Sequence, residues 1–183
     1  MKTLIYKIAL IILLSFTSQA QTKVYTISVI SDMSCKENKT DIETSILKIN
    51  SFFSKYNIRF IVKDFMVSNV AAKDKTLDNT LEEFCNCNPG EYNITLAVLG
   101  EHKGTKVGIA YFGTFGTKYS CAVVDLNAVE GEKETYVIIH EILHLMGLRH
   151  SNDPKNIMCN HTNYNNITSD QEEVIKQYGY ITK

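Results

Sequence analysis

His140-Glu141-Ile142-Leu143-His144-Leu145-Met146-Gly147-Leu148-Arg149-His150 gathers three of the chain's five histidines. His140 and His144 are four residues apart, so on a helix they share a face and their rings can converge on one ion. Glu141 adjoins the first of them. Gly147 can end the helix and turn the chain back, which brings His150 to the same ion. Three neutral imidazoles leave a fourth tetrahedral position open. That arrangement is the one expected of a single catalytic Zn2+, not of a closed structural zinc.

Outside this stretch the chain opens with Lys2 and Lys7, an apolar run from Ile8 to Leu14, and small residues at Ser18 and Ala20. Residues 1–20 therefore read as a secretory signal peptide, which implies a secreted or periplasmic protein. The apolar run is short for a membrane span and nothing later approaches one, so no stable membrane insertion is expected. Residues 21–183 then make one catalytic domain, long enough for a real core. Strand-forming sequence begins almost at the expected cleavage point, leaving no room for a substantial pro-segment. The net charge is -1, or about -3 once Lys2 and Lys7 are removed. With no basic block, nucleic acid is not an expected partner. Five cysteines, Cys35, Cys85, Cys87, Cys121 and Cys159, allow two pairs at most within one chain, and their connectivity stays open. Oligomeric state is open too.

Val24 to Ile30 predicts a first strand. Thr40 to Tyr56 predicts a helix, with Ile42, Ile46, Ile49, Phe52 and Phe53 as its core stripe. Ile58 to Phe65 predicts a second strand, Thr80 to Phe84 a short helix, and Tyr92 to Leu99 a central strand. His102 follows in a charged loop, where a solvated histidine is expected. Val107 to Phe112 and Ser120 to Leu126 predict two more strands. The first of these suits either a cleft-lining edge, along which an extended peptide could pair, or an ordinary hairpin. Thr135 to Met146 predicts the metal-binding helix, with Thr135 as N-cap. Thr168 or Ser169 opens a last helix, with Glu172 or Glu173 completing a capping box. Strand, helix, strand is the opening of an α/β layer.

A zinc bound by His140, His144 and His150 brings its water near neutral pKa and polarises a carbonyl. Glu141 is not needed as a ligand. It suits a general base that takes a proton as zinc-bound water attacks a peptide bond, then passes it to the leaving amine.

His140 to His150 resembles the metzincin zinc peptidase signature His-Glu-x-x-His-x-x-Gly-x-x-His at every fixed position. Met158 and Ser151 resemble the matrixin (matrix metalloproteinase) branch, whereas Gly108-Ile109-Ala110-Tyr111-Phe112-Gly113 with Cys121-Ala122-Val123-Val124 is similar to the reprolysin (adamalysin) branch. The resemblance implies an α/β (α+β) zincin fold. That fold has a twisted mixed five-stranded sheet, two long helices including the active-site helix, and a small C-terminal subdomain with a Met-turn and a terminal helix. It implies a metalloendopeptidase with a protein or peptide substrate lying antiparallel to an edge at Ile109, Ala110 and Tyr111. It places Met158 beneath the zinc, and Asn160 to Tyr164 in the S1′ wall. Asn160 stands where astacins and serralysins carry a tyrosine. The calcium and structural zinc loops of matrixins are not evident, and structural calcium stays open. A Cys121–Cys159 disulfide is one open pairing, and Cys35 one open zinc-blocking thiol. A zinc peptidase of narrow or exo specificity is the second reading. A catalytically silent binding module is the third, and it leaves Glu141 without a role.

Overall fold

The computed structural model describes residues 21–35, 39–68, 74–86, 92–100, 102–117, 119–129, 132–160 and 166–179. The chain runs β1 (Lys23–Asp32), α1 (Lys39–Phe53), a 3-10 turn (Ser54–Tyr56), β2 (Ile58–Ser68), α2 (Leu77–Asn86), β3 (Ile94–Leu99), β4 (Gly108–Ala110), β5 (Cys121–Asp125), α3 (Glu132–Leu145) and α4 (Ser169–Gly179). One five-stranded sheet has the order β2-β1-β3-β5-β4. β4 alone is antiparallel, and it lies at the sheet's edge. This is the expected mixed α/β sheet, with α2 as a further helix beyond the two long ones.

Strand alternation decides which layer each side chain enters. Ile27 and Val29 of β1, Leu96 and Val98 of β3, and Ala122 and Val124 of β5 face the layer that holds α1 and α3. Ile42, Ile46, Ile49 and Phe53 of α1 fill that layer, together with Ile138, Ile139 and Ile142 of α3. The alternate residues, Ile30, Ala97, Leu99, Cys121 and Val123, meet Leu77, Leu81 and Phe84 of α2 on the other face. All six residues of β3 are buried because both faces of this strand are covered. Fully burying an Ile or Leu side chain contributes about 1.5–3 kcal/mol, so the layer shared with α1 holds α3 firmly on the sheet.

Several boundaries differ from the sequence-based expectations. α1 stops at Phe53 because the chain tightens into a 3-10 turn and leaves through Asn57 at φ 56. Thr135 is not an N-cap: α3 is already running at Glu132, and Thr135 is buried in its early turns. At α4, Thr168 is the cap and Gln171 completes the box, not Glu172 or Glu173. Gln171 N–H donates to Thr168 Oγ1 (3.3 Å), and Thr168 N–H donates to Gln171 Oε1 (2.9 Å). Among the described residues no helix is long and apolar enough to cross a membrane. The expected signal peptide lies outside the described residues.

Candidate active site

α3 carries His140 and His144 on one face, and a Schellman motif stops it. Gly147 adopts φ 91, its N–H donates to His144 O (2.9 Å), and Leu148 N–H donates to Leu143 O (3.0 Å). The β4–β5 loop closes the helix end from outside, with Gly113 N–H on His144 O and Phe115 N–H on Leu145 O, each at 3.0 Å. The reversed chain returns His150 to the helix. Ring centroids are 4.6 Å apart for His140–His144, 4.6 Å for His144–His150 and 5.3 Å for His140–His150. One nitrogen from each ring lies within 4.8 Å of the others.

Backbone carbonyls set the tautomers. His140 Nδ1–H donates to Ile157 O and His144 Nδ1–H to Leu148 O, both at 2.7 Å. Each ring therefore presents an unprotonated Nε2 to the cluster, as a metal-binding histidine must. Burial lowers the pKa of His140, and takes that of His144 to about 4, so both rings stay neutral. His144 Nε2 and His150 Nε2 approach to 2.9 Å. Two nitrogen lone pairs this close repel unless a proton or a cation lies between them. The donor set fits a borderline-soft divalent ion such as zinc.

Glu141 lies beside these rings and is 4% exposed. Burial pushes its carboxyl up to about 8, and its Oε2 has no hydrogen-bond partner among the described residues. An uncompensated buried carboxylate is costly, which marks the group as waiting for a charge or a reactant.

These groups open onto a cleft of about 660 Å3 between α3, β4 and the chain after Gly147. Gly108, Ile109 and Ala110 line it along the sheet edge, with Tyr136, Val137, Ile157, Cys159 and Asn160 around the rest. Tyr111 is not among its lining residues: it packs over the α2 layer beside Ile109. Tyr164 lies outside the described residues. Met158 is fully buried in the main core, in a tight turn closed by Cys159 N–H on Asn156 O (3.0 Å).

The family model Reprolysin_5, described as metallo-peptidase family M12, matches residues 17–178. The chain belongs to this family. It is a metallopeptidase, and its three-histidine cluster suits zinc. Archaemetzincin from Methanopyrus kandleri has the same fold, with a TM-score of 0.65 at 15% identity over 89% of this chain and 98% of that one. Metalloproteinase-II from Bacteroides fragilis matches at TM-score 0.65 and 16% identity, over 88% of this chain and 55% of that one. A zinc-dependent peptidase from Methanocorpusculum labreanum matches at 0.53 and 13%, over 81% and 99%. Among curated proteins none matches.

Three features of this M12 chain escape a reading of its sequence. His102 is not a solvated loop residue: its side chain is buried, with Nδ1 2.6 Å from Asp125 Oδ2. Asn156 is 2% exposed and works as a junction. Its Oδ1 accepts from Met158 N–H (2.9 Å), and its Nδ2 donates to Gln171 Oε1 (2.8 Å). It thereby fixes the turn whose Ile157 carbonyl aims His140. An asparagine whose side chain can bond its own backbone two residues on is a weak sequence signal for such a turn. Cys121 is disulfide-bonded while Cys159 is a free thiol, so these two are not joined. Cys35 packs against the main core and is not among the cleft's lining residues.

Proposed function

We propose that the chain is a secreted zinc metalloendopeptidase in which His140, His144 and His150 hold one zinc ion and Glu141 is the general base. The observation that carries this reading is the meeting, at one cleft, of three imidazole nitrogens and a buried carboxylate with an unpartnered oxygen. Residues 1–20 act as the export signal, and residues 21–183 form one catalytic domain. The flanks of α3 draw on two metzincin branches, matrixin-like at Ser151 and Met158 and reprolysin-like at Gly108 to Gly113.

Zinc, when bound, supplies a Lewis acid and lets water be deprotonated near neutral pH. The chain's own groups do the rest. Ile157 O and Leu148 O hold the two helix histidines in register. A nearby cation favours the ionised form of Glu141 against the burial that opposes it. Ionised Glu141 takes the proton from the attacking water and returns it to the leaving nitrogen. The outer edge of β4 offers an extended peptide its unpaired backbone groups, beside Ile109 and Ala110. Val107, Tyr136, Val137 and Ile157 give an apolar side chain a matching seat, with Asn160 on its wall.

Treatment with a chelator is expected to abolish cleavage of a mixed peptide library, and added zinc to restore it. Cuts inside peptides mark an endopeptidase, whereas trimming from ends marks the exo-acting alternative. Undiminished cleavage by protein verified as metal-free would sink the proposal.

A further inference from the structure

We infer that Gly108 is a positioning residue for Glu141, because the space left by its missing side chain is the seat of that carboxylate. Gly108 opens β4 opposite Val124 of β5. A Cβ placed there would stand 2.8 Å from Cδ and 2.9 Å from Cγ of Glu141, and closer still to Oε1. Carbon atoms at optimal contact sit about 3.5–4.0 Å apart, so the clash is real. Gly108 is not among the glycines with positive φ, so backbone conformation does not require glycine at this position. Glycine in a strand interior weakens the strand, and it marks places where another group comes close. Here the close group is the Glu141 side chain.

The direction in which the clash resolves follows from what can move. α3 is fixed by the sheet beneath it and by the capped, doubly hydrogen-bonded end at His144 and Leu145. β4 is fixed by its ladder to β5. The three atoms nearest the added Cβ all belong to the Glu141 side chain, and none is backbone. The carboxylate therefore yields, and the open side is the cleft that both residues line. Zinc ligands stay in place while the base is displaced. A base misplaced by about 1 Å costs on the order of 100-fold in rate.

The inference rests on the reading of Glu141 as general base, so the experiment separates the two. Wild type, Gly108→Ala, Glu141→Ala and the double variant are compared for bound zinc, for kcat and KM on one peptide, and for melting temperature without metal. Zinc-loaded Gly108→Ala is expected to keep its metal and its KM and to lose about 100-fold in kcat. In the metal-free proteins, Gly108→Ala is expected to shift the melting temperature beside Glu141 but not beside alanine, where the clashing atoms are gone. Wild-type kcat in zinc-loaded Gly108→Ala overturns the inference. So does an equal shift in melting temperature, or equal failure to fold, in both backgrounds. Turnover by Glu141→Ala instead overturns the general-base reading, while an inert Glu141→Ala beside a fully active Gly108→Ala removes only the seat.

Discussion

Replacing Glu141 by glutamine should stabilise the metal-free protein, by an amount that grows with pH. Burial alone holds this carboxyl at about 8 against its ordinary 4.5. At about 1.4 kcal/mol per pH unit, keeping it ionised in the metal-free fold costs about 5 kcal/mol. The folded chain thus retains a proton that the unfolded chain releases above pH 4.5. A raised carboxyl contributes stability that is complete below the unfolded value and is lost as the pH climbs through the folded one. Glutamine keeps the shape and does not titrate. Relative to the offset at pH 4, Glu141→Gln should gain about 3 kcal/mol at pH 7 and about 5 kcal/mol above pH 8. His144, which burial takes to about 4, is present in both proteins, so its titration cancels in the difference. Urea unfolding in chelator from pH 4 to 9, followed by circular dichroism, measures the gap. A difference that stays constant across this range would refute the reasoning. The same linkage couples metal to proton. Zinc binding at pH 7 should release a proton from Glu141, so wild-type affinity should climb more steeply with pH than that of Glu141→Gln.

Gly147→Ala should cost about 1–2 kcal/mol in urea unfolding, because φ 91 is strained for an L residue while its Cβ would meet nothing closer than 3.9 Å. Asn156→Ala leaves the buried Met158 N–H unpaired and should cost about 1–3 kcal/mol. By loosening the turn that presents Ile157 O to His140, it should also weaken zinc binding by about tenfold or more, measured by competition with a chelating dye.

Much of the molecule was legible in the sequence, for a reason that is local. Helical spacing places His140 and His144 together, and a glycine after the last apolar turn announces the Schellman motif that returns His150. β-rich and apolar runs foretell all five strands, because each buries its faces independently of which partner covers them. What stayed hidden depends on partners distant in sequence. His102 and Asp125 are separated by a strand and a loop, so nothing local distinguishes this buried pair from two solvated charges. The cap of α4 turns on whether Thr168 or Ser169 starts the helix: from Thr168 the box position three residues on is Gln171, whose carbonyl also accepts from Asn156 of another segment. Thr135 has the chemistry of an N-cap, yet the helix starts earlier and buries it. Tyr111 sits in the expected edge segment but is drawn toward the α2 layer, a choice made by the opposite face of the sheet.

The most direct measurement of the central claim is peptide cleavage by Glu141→Ala protein with its zinc content determined in the same sample. Zinc retained at the wild-type level with nearly all cleavage lost is the expected result. Wild-type cleavage by the folded, zinc-loaded variant would contradict it.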